Sequence, residues 1–560
     1  MKQRIAALLA VSALAYTAAP AARAQAPAWQ TAVALAQTGG QLFSVASTAA
    51  DASGNILVAG NFDGTLTLGA TTLTSAGGDD GFVAKWSPAS QQFVWALRLG
   101  GPDDDAITSV AASGTSVYIG GGFAGTAVFG PATLTPTGAS DAFVAKLTDA
   151  GTTASFGWAR QAGGTGTADA ALVSHLAVSG PVVYAAGRFE GRLGATGPAQ
   201  LIGAGGEDGF VLKFTDAGTT ATPGWAQGLG GPLDDQVVGL AVQASNVYVT
   251  GLFADTLRAG ALSLTSGGDD DGFLVKVRDA GAAPAVAWGQ TMGGPGNDAL
   301  TGIAVRGNDL YVTGAFSGTR TLGNSTLVSQ GEEDVLVMKL LDAGPAAAVT
   351  WAIRGGGPDQ DVPYALTLAG NNVFVSGFFV GPATYGPSTL PASSAGNDDV
   401  LVARVLDAGS TGRFVWAQQA SSAVGNDYGN ALTVVGNRVY VVGDVGQLPA
   451  TFGPLTLAGT TPDAGFLAAI FDPTLLVSAR AAAGPAPATL APNPARHTTT
   501  LALPAAAEAR PLLLLDATGR ELRRTLLPAR AESTALDLRG LPAGLYLVRC
   551  ADATHRLVVE

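Results

Sequence analysis

Cysteine is all but missing from this chain of 560 residues. Cys550 stands alone, so no internal disulfide can form. With only His175, His497 and His555 beside it, there is no Cys/His cluster from which a zinc site could be built. Charge is sparse as well. Only 13% of residues are charged, and 30 Lys and Arg face 43 Asp and Glu, a formal −13, which makes nucleic acid and anionic membrane surfaces poor partners. After the first two dozen residues no run approaches the roughly 18 consecutive apolar residues that span a bilayer, so no transmembrane segment is expected. Catalytic signatures are equally scarce: there is no Gly-x-Ser-x-Gly elbow, no phosphate loop and no His-Glu-x-x-His.

What is abundant is glycine, 77 residues of it, with Thr, Val and Ser. That mixture disfavours helix and suits short strands joined by tight turns. The first residues are of another kind. Lys2 and Arg4, an apolar run from Ile5 to about Ala19 and the small-residue site Ala22-Arg23-Ala24 predict a secretory signal peptide over 1–24.

Seven of the eight tryptophans mark a repeat: Trp29, Trp95, Trp158, Trp225, Trp288, Trp351 and Trp416 lie 66, 63, 67, 63, 63 and 65 residues apart. After each Trp come a Gly-Gly-x-x-x-Asp loop, a run of small residues, a Val-Tyr-Val run and a Phe-Val-x-Lys run such as Phe143–Lys146. Four strands per unit, punctuated by Gly-Gly-Pro and Asp-Ala-Gly, predict an all-β fold, a seven-bladed β-propeller over 25–475. The Asp-Ala-Gly spacing makes the Lys strand and the following Trp strand a hairpin of one blade. The last unit then lacks a fourth strand, which Trp29 and its neighbours would supply. These units resemble the SBBP β-propeller repeat, as at Gly293-Gly294 with Asp298 and Gly307–Gly314. The resemblance implies a bladed propeller on exported or surface proteins and carries no catalytic residues. The first unit departs from it in having no acid near Gly39, the last in placing Val445 where the others have Phe.

An Ala/Pro-rich linker is predicted over 476–494 and a small C-terminal β-sandwich over 495–560. Pro492-Asn493-Pro494, Asp516 to Arg520, the run from Leu536 through Leu541-Pro542-Ala543-Gly544-Leu545 to Tyr546 and the terminal run from Arg556 to Glu560 resemble the type A sorting domain of the type IX secretion system. That resemblance implies the export machinery and its cell-surface peptidase as partners, with delivery to the outer surface and removal of the module.

Two acidic positions recur. One follows each Trp by ten or eleven residues (Asp105, Asp169, Asp235, Asp298, Asp361, Asp427); the other opens the Lys strand (Asp80, Asp141, Asp208, Asp271, Asp334, Asp399). Both rings should emerge on one face. Carboxylates are the hard ligands that Ca²⁺ takes, which makes Asp105, Asp235, Asp298, Asp361 and Asp271 the candidate metal residues and calcium the only cofactor considered. The favoured reading is that each Asp braces its own turn by accepting backbone N–H groups. Lys85, Lys146, Lys213, Lys276, Lys339 and Arg404 also share one position, read as charges paired with a nearby Asp rather than as an anion site. Glu190, after Phe189, and Asp63, after Phe62, are acids outside the pattern. The sequence thus predicts an exported, monomeric scaffold that binds a glycan or protein ligand or serves display. A polysaccharide-active enzyme and a purely structural surface protein are the alternatives.

Overall fold

The computed structural model describes residues 27–40, 42–194, 200–391, 396–475, 489–491, 493–502, 510–516, 520–528, 531, 533–550 and 553–560. The signal-peptide segment, Pro492 and nearly all of the expected linker lie outside them. The chain divides into two compact units, Met1–Leu476 and Val477–Glu560. Every named element is a strand. No helix among the described residues is long and apolar enough to cross a membrane.

In the first unit seven antiparallel sheets of four or more strands follow one another among the described residues. Sheet 1 pairs Phe43–Ala50, Ile56–Phe62, Asp80–Ser87 and Gln92–Leu99 in that order. Sheets 2 to 6 repeat the order, opening at Asp105, Ala170, Asp235, Asp298 and Asp361. Within each, the Lys strand pairs with the Trp strand, as in Lys276 opposite Trp288. Sheet 7 is made of Tyr428–Val435, Arg438–Gln447 and Pro462–Phe471, and its fourth strand comes from the other end of the chain. Ala28–Leu35 pairs with Pro462–Phe471, Trp29 opposite Ile470 and Ala34 opposite Phe466.

The small-residue strand comes first in each sheet because there the sheets crowd together. Each first strand touches the first strand of the next sheet, and Tyr428–Val435 touches Phe43–Ala50. A methyl added at Gly302 would lie 3.3 Å from the backbone nitrogen of Leu366 in the following sheet. Larger residues lie further out and form the cores between sheets. One such cluster joins Tyr248, Leu274 and Trp288 of sheet 4 to Ile303, Val312 and Met338 of sheet 5.

Four strands per unit is an undercount. Most units insert a short hairpin between the second and third strands, such as Ala127–Phe129 with Ala132–Leu134 and Thr319–Leu322 with Ser325–Val328. In sheet 4 the same hairpin is continuous with the long strands Asn246–Ala259 and Leu262–Asp279. The hairpin covers the outer edge of the preceding sheet: Gly100, after the Trp strand of sheet 1, exchanges hydrogen bonds with Val128. In sheet 6 the hairpin Ala450–Phe452 and Leu455–Leu457 pairs directly with the Trp strand. An outer edge left bare would be a template for strand addition, and these hairpins occupy it.

The second unit has a three-stranded sheet (Thr489–Ala491, Thr498–Ala502, Ser533–Asp537) and a four-stranded sheet (Glu521–Leu527, Arg510–Asp516, Gly544–Cys550, Ala553–Val559). One apolar cluster containing Leu501, Leu514, Leu536, Val548 and Leu557 serves both.

Trp29 is 2% exposed, stands edge-on to Phe452 and donates its indole N–H to the carbonyl of Gln419 in sheet 6. Trp29→Ala is expected to destabilise the first unit by about 3–5 kcal/mol, read as a lower urea midpoint for the tryptophan signal.

Candidate functional site

The recurring cations are structural. Lys85, Lys146, Lys213, Lys339 and Arg404 reach an Asp of the next sheet: Asp149 at 2.7 Å, Asp216 at 2.5 Å, Asp279 at 2.6 Å, Asp407 at 3.1 Å and Asp472 at 2.6 Å. Lys276 pairs likewise with Asp342. Five of these Asp residues open Asp-Ala-Gly turns and Asp472 opens Asp472-Pro473-Thr474; in each, one oxygen accepts the backbone N–H two residues on, as Gly151 donates to Asp149 at 2.9 Å. The same carboxylate takes the indole N–H of the preceding sheet's Trp, Trp158 to Asp216 at 3.0 Å and Trp351 to Asp407 at 3.1 Å. In four cases it also takes the Tyr O–H of the Val-Tyr-Val strand, as from Tyr118, Tyr184, Tyr248 and Tyr311. Burial raises the affinity of Asp216 and Asp279 for a proton. Lys, Tyr and Trp donors outweigh it and hold both carboxyls down at about 2. The sequence marked the cations but read these acceptors only as turn formers. The available signal was that five of them, Asp149, Asp216, Asp279, Asp342 and Asp407, stand three residues after a cation of the series.

The two rings of Asp meet across neighbouring sheets on one rim. Gly294 donates its N–H to both Asp271 and Asp298, each at 3.0 Å. Asp105 accepts from Gly101 at 2.6 Å, Asp361 from Gly357 at 2.7 Å and Asp271 from Gly267 at 2.6 Å. This explains the repeated Gly-Gly: a methyl on Gly100, itself at φ 139°, would lie 1.8 Å from Asp80 Oδ1 and 2.8 Å from Asp105 Oδ2. The two carboxylates therefore bracket one stretch of bare backbone.

What else each carboxylate meets differs from sheet to sheet. Asp298 faces Arg320, whose Nε lies 3.1 and 3.2 Å from its two oxygens. Asp361 accepts the O–H of Tyr385 at 3.0 Å. Asp105 and Asp235 have no such partner, and burial pushes their carboxyls up to about 7 and about 8, with neighbouring acids adding to the rise. In the first unit, where the usual acid is lacking, Gln37 and Asp63 brace the loop: Gln37 Nε2 and the N–H of Leu42 both donate to Asp63. Asp444, unremarked in the sequence, does a related task at the junction of sheets 7 and 1, accepting the N–H of Val45 at 2.8 Å. Among the described residues no three His, Cys, Asp or Glu side chains are grouped so as to hold a metal ion.

In the second unit Tyr546 is buried and donates its O–H to the carbonyl of Pro542 at 2.7 Å, tying the strand that opens at Gly544 back across its own loop. Asn493 Oδ1 accepts the N–H of Val558, holding the entry segment, with Pro494 next to it, against the terminal strand. Arg556 lies in that strand opposite Leu547.

Residues 489–560 match the family described as a secretion system C-terminal sorting domain. One curated relative, the regulatory protein FlaEY of Caulobacter vibrioides, is 26% identical over 296 residues, which are 50% of this chain and 30% of that protein. The chain thus spans less than a third of that relative's length. Among solved structures, a fungal alcohol oxidase in complex with copper is 12% identical (96% of this chain, 100% of that one, TM-score 0.29). A europium-containing methanol dehydrogenase is 10% identical (78% and 93%, TM-score 0.33), and a Trypanosoma rangeli sialidase in complex with sialic acid is 9% identical (68% and 82%, TM-score 0.25).

Two expectations follow from the rim. The raised carboxyls of Asp105 and Asp235 favour folding in their protonated form, so their contribution is full below about pH 4 and is lost as pH rises through 7 to 8. The lowered carboxyls of Asp216 and Asp279 act oppositely, losing theirs as pH falls from about 4 to 2. Melting temperature should therefore peak near pH 4, and Asp105→Asn with Asp235→Asn should raise it at pH 8 while leaving it nearly unchanged below about pH 4. Because backbone N–H groups hold the rim, adding chelator or millimolar Ca²⁺ should leave the melting curve where it is; a calcium-dependent rise would mark a bound ion. With its C-terminal 72 residues in this family, the chain carries a type IX secretion sorting domain and is delivered to the cell surface, the tail being removed after export.

Proposed function

We propose that this protein is a seven-bladed β-propeller of SBBP type, closed by its N-terminal strand, that acts at the cell surface as a binding or display scaffold. The observation that carries the reading is the division of labour among its charges. In six junctions the cation, the Asp of the turn and the Trp are consumed in joining one sheet to the next, and the recurring acids that remain among the described residues are the two rings of Asp on the rim. The contact of Tyr428–Val435 with Phe43–Ala50, together with the strand Ala28–Leu35 beside Pro462–Phe471, supports closure. Variation is marked at the rim, where each sheet surrounds its Asp differently. A rigid frame with a variable rim suits recognition, because loops carry specificity while the scaffold fixes their positions.

The test is a screen of the purified exported protein against a glycan array, a panel of surface proteins and a set of chromogenic glycosides. Saturable binding without turnover is the expected result. Turnover would replace the scaffold reading with a polysaccharide-active enzyme, and neither binding nor turnover would leave a purely structural role.

A further inference from the structure

The carboxylate rim holds a cleft of about 400 Å³ between the strand ends of sheets 1, 2 and 3. Phe123, Leu172 and Phe189 contribute its apolar wall, and Asp79, Asp104, Glu190 and Glu207 its acids. One cation is present, Arg188, and it is already committed to Glu207 at 3.1 Å. Asp63, the other acid outside the repeat pattern, is used up in its own loop, whereas Glu190 stands exposed at this cleft.

A second observation concerns Asp105, which lines the same cleft. It is 1% exposed, its Oδ2 takes the N–H of Gly101, and its Oδ1 meets no hydrogen-bond donor. A buried carboxylate oxygen without a donor is unfavourable, and a cation brought to it would relieve that. The chain shows which kind of cation this position takes. At the equivalent Asp298 the guanidinium of Arg320 fills the place, and the residue aligned with Arg320 in the repeat of Asp105 is Ala127. Beyond the Arg188–Glu207 pair, which Gln236 also joins through Glu207, a further hollow of about 440 Å³ adds Asp234 and Asp270 beside the exposed Leu233. The acids therefore run on past a single pocket, as an extended ligand requires.

We propose that this acid-lined groove binds a cationic peptide segment, with an Arg or Lys side chain seated in the cleft by Asp104, Asp105 and Glu190. The proposal rests on the scaffold reading and names its ligand class. The experiment is fluorescence anisotropy of labelled hexa-arginine, with labelled hexaglutamate as control, on the full exported protein at about 50 mM salt, where surface charge is incompletely screened. Saturable binding of hexa-arginine alone is expected. The double variant Asp104→Asn/Glu190→Gln, both at exposed positions, should weaken it about tenfold or more, a loss of about 1.4 kcal/mol. The control Glu332→Gln/Asp463→Asn, which removes as much charge from exposed positions away from the cleft, should leave it unchanged. No binding of hexa-arginine, or equal weakening by both double variants, overturns the assignment of the groove. The scaffold reading stands or falls separately on the glycan and protein screen.

Discussion

The first unit depends on one buried cluster used six times: a Lys or Arg and a Trp from one sheet converge on the Asp that opens the turn of the next. With both side chains about a tenth exposed or less, each pair has surrendered most of its hydration, so it favours folding only because the carboxylate also accepts an indole N–H, a turn N–H and usually a tyrosine O–H. Such a cluster adds register more than it adds energy. A cation three residues from its own turn cannot reach the neighbouring Asp unless the two sheets are seated correctly. The seventh junction has no such pair. Ala469 occupies the place of the cation and Pro88 that of the acid, and the contact is apolar instead, with Trp86 against Tyr440 and Leu467 in the same core. That is the junction between the two ends of the repeat region, and it is held by burial of apolar surface with no ion pair.

The rim follows from the same geometry. Because the first and third strands of every sheet point the same way, the Asp that opens the third strand of one sheet comes together with the Asp that opens the first strand of the next at the Gly-Gly loop, where only bare backbone fits between two carboxylates. Each sheet then meets the like-charge crowding in its own way, by a guanidinium at Asp298, a phenol at Asp361 and a serine hydroxyl at Asp427, or leaves a carboxylate oxygen without a donor, as at Asp105 and Asp235, and burial raises all five carboxyls. The rim is thus both the least uniform part of the repeat and the part where charge is least compensated.

Much of this could be read in the sequence because the repeats show one position seven times. The tryptophan spacing located the outer strands, and the alternation of Phe-Val-x-Lys located the third. What was illegible had physical causes. The inserted hairpins use strands of two to four residues, too short to display a period, and their Thr-rich composition between glycines reads as loop. The partner of each lysine lies some 64 to 70 positions away in sequence, so pairing with a nearby Asp was foreseeable while the identity of that Asp was not. Glu190 and Asp63 look alike as letters after Phe; only the structure separates an acid spent on its own loop from one facing a cleft. In the second unit the Leu-Pro-Ala-Gly-Leu-Tyr run was recognisable as a motif, yet the tie from Tyr546 back to Pro542 needed coordinates.

The central claim, that the carboxylate of the turn and the cation of the preceding sheet act as one unit, is tested most directly by a double-mutant cycle on Lys276 and Asp342, read by urea unfolding of the full chain. Asp342→Asn and Lys276→Met should each cost about 3–5 kcal/mol, since either leaves a buried charge without its partner, and the double variant should fall short of their sum by about 2 kcal/mol or more. Costs that simply add would show that the two side chains stabilise the fold independently and would contradict the account.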